Sequence, residues 1–120
     1  MSAKIDLWSY GFRPFFLFGA LYCMILMILW SGYYGGWIPR VFGENPIYWH
    51  AHEMIFGFCV AIISGFILTA SANWSGLPAL HGGKLQFLFL IWSIPRVASI
   101  LNVDGGWILS GIDLLYLPLL

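Results

Sequence analysis

The residues most capable of chemistry lie in one short segment, Trp49-His50-Ala51-His52-Glu53-Met54. Imidazoles and carboxylates carry protons and ligate metals, and at the mouth of a membrane span they are costly unless water, a partner or a metal satisfies them. Residues two apart on an α-helix are separated by about 200°, so His50 and His52 point to opposite sides. The two histidines therefore cannot easily chelate one ion together, but they can address two different partners, one on each face of the helix.

Two interpretations of this pair remain open on the residues alone. In the first, His50 and His52 are metal ligands at separate centres. In the second, they are hydrated side chains where the helix meets water and hold no ligand. Single His→Ala substitutions would remove different metal signals in the first case and none in the second.

Below His50, small residues recur at every fourth position as Gly57, Ala61 and Gly65. Such a stripe is typical of close packing between membrane helices. It also leaves room for a flat macrocycle whose iron a nearby histidine ligates. Both interpretations predict that something approaches this helix face closely.

Arg13 lies in the segment Gly11-Phe12-Arg13-Pro14-Phe15-Phe16, at the start of an apolar run. It is either a cationic anchor in the inner headgroup zone or a ligand for an anionic group such as a haem propionate or a lipid phosphate.

The composition indicates which elements position these residues. Hydrophobic residues make up 61% of the chain and charged residues 8%, whereas a soluble domain carries roughly 25% charged residues. The charged residues are also clustered, which leaves long apolar stretches that only lipid can solvate. The formal net charge of zero gives no reason to expect a nucleic-acid partner.

We therefore predict an all-α transmembrane helix bundle with three complete spans and the start of a fourth. The spans cover residues of about 14–34, 46–72, 84–101 and 107–120, the third interrupted by Pro95 and Arg96. The first would be about 31 Å long, enough to cross the bilayer, but the fourth only about 21 Å. The chain is thus interpreted as a fragment of one polytopic domain, whose partners are the lipid bilayer and the remainder of the bundle.

Several side chains refine this topology. Asn45 and Pro46 predict the N-cap and first residue of the second helix. Lys4, Arg13 and Lys84 fall on one side and Arg40 on the other, which by the positive-inside rule predicts a cytoplasmic N-terminus. Trp and Tyr residues, Trp30 and Tyr34 among them, lie largely at span ends, as aromatic belts do.

Depth along the spans makes two further predictions. Cys23 lies about 14 Å from the inner surface and Cys59 about 22 Å, so no disulfide is expected between them. Arg96 and Asp113 lie about 12 Å and about 9 Å below the outer surface, on helices joined by the short turn at 102–106. Because an unpaired charge at that depth is costly, we predict a buried Arg96–Asp113 ion pair, or a network in which Arg96 also reaches a haem propionate.

Six motifs follow one another along the chain. They are Gly11-Phe12-Arg13-Pro14-Phe15-Phe16, Trp49-His50-Ala51-His52-Glu53-Met54-Ile55-Phe56-Gly57-Phe58, Gly65-Phe66-Ile67-Leu68-Thr69-Ala70, Asn73-Trp74-Ser75-Gly76, Arg96 and Asp113-Leu114-Leu115. In this order they resemble the NnrS family of polytopic bacterial inner-membrane proteins associated with haem, copper and the response to nitric oxide. The chain departs from the family where a Pro usually precedes Asn73 and a Thr stands at Ser75.

The resemblance implies an N-terminal third of a protein with about a dozen spans, acting in nitric oxide metabolism, denitrification or resistance to nitrosative stress. It implies haem and copper as cofactors and favours His50 and His52 as metal ligands. Arg13 and Arg96 are the further candidate cofactor-binding residues, on the strength of their charge and position. The resemblance assigns no reaction. The alternative is a permease-like or structural bundle without a redox metal.

Overall fold

The computed structural model describes residues 6–38, 45–101, 103 and 106–120, and the regular elements among these residues are all helical. The α-helices are α1 (Phe12–Tyr34), α2 (Pro46–His52), α3 (Val60–Ser75), α4 (Gly82–Ile100) and α5 (Gly106–Leu119). A 3-10 turn (Leu7–Ser9) precedes α1, and a π-helical segment (Glu53–Cys59) joins α2 to α3. Lys4 and Arg40 of the orientation prediction, and most of the predicted turn at 102–106, lie outside the described residues.

Two helical stretches among the described residues are long and apolar enough to cross a membrane, Phe12–Tyr34 and Pro46–Ser75. Helix α4 is not among them and carries Lys84, Gln86 and Arg96, whereas Trp107–Leu119 is apolar but shorter. The structure thus confirms an all-helical architecture with two candidate spans. The three complete spans predicted from the sequence are not confirmed.

The helix ends follow local capping chemistry. The Asn45 side chain accepts hydrogen bonds from the backbone N–H groups of Ile47 and Tyr48, with Pro46 in the first turn, which confirms the predicted start of α2. Helix α3 continues to Ser75, past the predicted end at residue 72, and stops because Gly76 adopts the left-handed conformation at φ 69°.

The interruption predicted at Pro95 and Arg96 is wrong, because α4 runs continuously through both residues. A proline removes one backbone donor, and packed neighbouring helices let a membrane helix tolerate that loss. Cys23 and Cys59 are both free, which confirms that they do not pair.

The small-residue stripe faces α1, which runs antiparallel to it. A Cβ atom built on Gly57 would lie 2.5 Å from Tyr22 Cε1, and one built on Gly65 would lie 2.7 Å from Phe16 Cδ1. Between them, a Cβ atom on Gly19 of α1 would lie 3.0 Å from Ala61 Cβ. Helix packing therefore occupies this face, and α1 leaves no room on it for a macrocycle.

Aromatic side chains fill the space between α1, α4 and α5. Phe15 is fully buried, with its ring centroid 5.6 Å from that of Phe89 and 5.9 Å from that of Trp92. Outside this core, apolar side chains such as Met24 and Ile28 of α1 are more than 60% exposed. Such a surface suits lipid or further helices better than water.

Candidate functional site

A guanidinium and two carboxylates are buried together where α4, α5 and the π-helical segment meet. Arg96 Nη2 donates a 2.5 Å hydrogen bond to Asp113 Oδ2, so the structure brings together the ion pair that depth predicted. Arg96 Nε also lies 2.9 Å from Glu53 Oε2 and forms an ion pair with it. The Nε–H bond does not point at that oxygen, so this contact is not a hydrogen bond. All three residues are less than 5% exposed. Glu53 is thus enclosed by neighbouring helices.

Tyr22 extends this network from α1. Its hydroxyl donates a 2.5 Å hydrogen bond to Glu53 Oε2, and its ring fits because Gly57 has no side chain in the way. Sequence reasoning missed Tyr22, although a signal was present. Tyr22 lies 12 residues before Tyr34, or about 18 Å from the end of the helix. A tyrosine this far from the span end is too deep to belong to an aromatic belt, so its presence needs another explanation.

His52 lies against both carboxylates. Its Nδ1 is 3.3 Å from Glu53 Oε1 and its Nε2 is 3.6 Å from Asp113 Oδ2, while its ring stacks on Phe56 at a centroid distance of 4.8 Å. Ionised carboxylates only accept hydrogen bonds, and a neutral imidazole donates from only one of its nitrogens. The two carboxylates therefore hold the His52 ring through its nitrogens.

His50 points to the other side of the helix, as the 200° separation predicted. Its ring lies parallel to the Trp30 indole of α1, with centroids 4.1 Å apart and planes inclined by 14°. The Nδ1 atom is buried and has no hydrogen-bond partner among the described residues. A buried polar atom without a partner is costly, so this nitrogen is suited to a group contributed from elsewhere.

The π-helical segment connects the two histidines to the long span below them. Its wider turn is visible where the Val60 N–H bonds to the carbonyl of Ile55, five residues earlier. The Trp92 indole N–H of α4 donates to the carbonyls of Phe56 at 3.2 Å and Gly57 at 3.0 Å. Short π-helical segments often occur at functional sites, and here α4 supplies a donor that stabilises one.

Arg13 belongs to a different part of the molecule. Its Nη1 donates to the carbonyl of Asp6 at 2.7 Å and to Ser9 Oγ at 2.8 Å, and its guanidinium lies over the Tyr10 ring. It precedes Trp30, the neighbour of His50, by 17 residues on α1, or about 26 Å. The four residues predicted to bind cofactors, His50, His52, Arg13 and Arg96, therefore do not form one site. Arg96 lies with His52, while Arg13 lies near the opposite end of the bundle.

The histidines suit metal ligation in different ways. In the described part of the chain, no group of three or more His, Cys, Asp or Glu side chains could hold a metal ion. Metal-ligating histidines usually direct their second nitrogen at a carboxylate or carbonyl, as His52 Nδ1 does towards Glu53. His50 instead has a buried nitrogen that still lacks a partner. His50 Nδ1 could serve as one ligand of a centre whose remaining ligands come from outside these residues, whereas His52 could ligate a metal only through Nε2, in place of its contact with Asp113.

Comparisons with known proteins identify the same family as the sequence motifs. The family model described as NnrS protein matches residues 6–120, almost the whole chain. No curated protein and no solved structure matches the chain.

Proposed function

The chain belongs to the NnrS family, and we propose on that premise that it forms the N-terminal part of a haem- and copper-binding protein of the bacterial inner membrane. The protein acts in nitric oxide metabolism or in resistance to nitrosative stress. The observation that carries the proposal is the buried Nδ1 of His50, which has no partner among the described residues.

Two histidines of one helix serve two centres in this proposal. His50 faces the outer end of α1, and His52 faces Asp113 of α5, so neither can turn to the ligand of the other without breaking its own contacts. Glu53 orients His52 through Nδ1, and Arg96 and Tyr22 hold Glu53 in place. When bound, a haem iron or a copper ion would supply the redox chemistry and the coordination of nitric oxide.

The orientation of the chain is part of the proposal. Arg13 lies near the start of α1 and Lys84 near the start of α4. Gly11 packs on Leu68, which shares the lining of one groove with Lys84, so both cations lie at the same end of the bundle. The positive-inside rule makes this the cytoplasmic end. His50 and Trp30 then lie towards the periplasm.

The test uses the purified full-length protein in detergent. We expect a haem Soret band and bound copper in the wild type, and we expect His50→Ala and His52→Ala to remove different signals. His81→Ala is the matched control, because His81 is exposed and lies at the Lys84 end of the bundle. Wild-type haem and copper contents in the His50→Ala/His52→Ala double variant would refute ligation by these histidines.

One observation favours a second candidate, a permease-like bundle without a redox metal. Ionisable residues buried in membrane bundles often line pathways for protons, ions or substrates, and Glu53, Arg96 and Asp113 are such residues. This candidate predicts full-length protein that has no Soret band or copper, and liposome transport that fails after Asp113→Asn.

A further inference from the structure

The contact between His50 and Trp30 differs in kind from an ordinary hydrogen bond. The ring planes are inclined by only 14° and the centroids are 4.1 Å apart, so the indole covers one face of the imidazole. The N–H bond and the lone pair of an imidazole lie in the ring plane, at the edge. A stacked neighbour therefore restricts how the ring can turn without itself bonding to the ring nitrogens.

Trp30 is itself held by its own helix. The Tyr34 ring meets the indole edge-on at 4.9 Å, and the Tyr33 ring lies at 6.2 Å. These residues are three and four positions further along α1, the spacing at which side chains on one helix meet. The indole is thus fixed between its own helix and His50.

Membership of an interfacial belt does not account for this arrangement. Trp37, Trp74 and Trp107, which do have belt character, are between 75% and 84% exposed. Trp30 is half-buried, and its partner is a histidine with an unpartnered buried nitrogen. A tryptophan acting only as a membrane anchor would not need to lie parallel to that ring.

We propose that Trp30 is a positioning residue that sets the ring plane of His50 and hence the direction from which a metal meets its nitrogen. The inference rests on the proposed function, since it takes His50 as a ligand. Trp30 does for His50 what the carboxylate of Glu53 does for His52. Because it acts through the ring face, it adds no charge to the site.

The experiment compares Trp30→Leu, Trp30→Phe and the control Trp37→Leu in the full-length protein. Trp37 is 83% exposed and lies just beyond α1. Loss of a residue that orients a metal ligand weakens metal binding by roughly 10–100-fold. We expect Trp30→Leu to weaken retention of the His50-dependent metal by that factor and to change its electron paramagnetic resonance g-values. Trp30→Phe, which keeps an aromatic face, should cause a smaller change in the same direction, and Trp37→Leu none.

Failure of this inference can be told apart from failure of the proposed function. If His50→Ala retains all bound metal, His50 is no ligand and the proposed function loses its main support. If His50→Ala loses a metal while both Trp30 variants keep wild-type affinity and g-values, the positioning role is overturned alone. Should Trp30→Leu not fold, the g-values of Trp30→Phe decide, and a spectrum identical to wild type would overturn the role.

Discussion

His50 and His52 are two residues apart on one helix, yet the structure holds them by opposite means. His50 is oriented through its ring face by an apolar stack on α1, and its Nδ1 remains unpartnered among the described residues. His52 is oriented through its nitrogens by carboxylates of its own helix and of α5. The orientation of each histidine ring is therefore set by the residues packed against its own side of the helix.

The two arrangements differ in what holds them together. The contacts of His52 depend on Arg96, which pairs with the buried carboxylates of both Glu53 and Asp113. Removing one member of such a group leaves an uncompensated buried charge. The His50 side depends on contact between uncharged rings. We therefore expect substitutions around His52 to affect stability strongly, and substitutions around His50 to affect chiefly the orientation of its ring.

The largest effect is expected from Arg96→Met. Without the guanidinium, two buried carboxylates remain close together, so the free energy of unfolding should fall by about 3–5 kcal/mol. Denaturant titration of the protein in detergent micelles measures the change. Lys84→Met is the control, because Lys84 is exposed and its loss should change stability by less than about 0.5 kcal/mol. If both variants unfold alike, Arg96 does not hold the carboxylates and the contrast between the histidines disappears.

An intermediate effect is expected from Gly57→Ala. The added methyl group would lie 2.5 Å from Tyr22 Cε1 and 3.2 Å from Arg96 Cδ, so the Tyr22 ring, which bonds to Glu53 through its hydroxyl, would have to shift. Overpacking of this kind costs about 1–3 kcal/mol, and Gly57→Leu should cost more.

Gly111→Ala is the matched control for the Gly57 substitution. A Cβ at Gly111 of α5 would meet nothing within 4 Å, so the change should be neutral or stabilise the helix by up to about 1 kcal/mol. The same unfolding assay compares the two variants. Equal stability of Gly57→Ala and wild type would show that α1 does not pack closely there.

The smallest effect is expected from Tyr22→Phe, which removes the hydrogen bond to Glu53 and keeps the ring. Polar contacts between membrane helices contribute about 0.6 kcal/mol on average and up to about 1.7 kcal/mol. The loss should appear as a small drop in unfolding free energy, accompanied by a change in the His52-dependent metal signal but not in the His50-dependent one. Tyr48→Phe is the control, since Tyr48 is 69% exposed. A change confined to the His50-dependent metal signal would show that Tyr22 acts on His50 and not on His52.

The sequence was sufficient where one helix, or two helices joined by a short turn, decide the outcome. Hydropathy predicts the long apolar helices, and Asn45-Pro46 predicts the start of α2. Helical periodicity alone places His50 and His52 on opposite sides. The depths of Arg96 and Asp113 along two neighbouring helices predict their contact, because a charge in an apolar span is costly unless an opposite charge pairs with it.

Tertiary structure alone decided which helix lies against each side. Periodicity shows that a face is special but not what covers it, so neither Trp30 as the neighbour of His50 nor Tyr22 as a partner of Glu53 followed from the residues. The π-helical segment adds a residue to one turn and rotates what precedes it relative to α3, and it is stabilised by a donor 35 positions away on α4. Contacts of that range depend on how whole helices pack, and no local pattern in the chain records them.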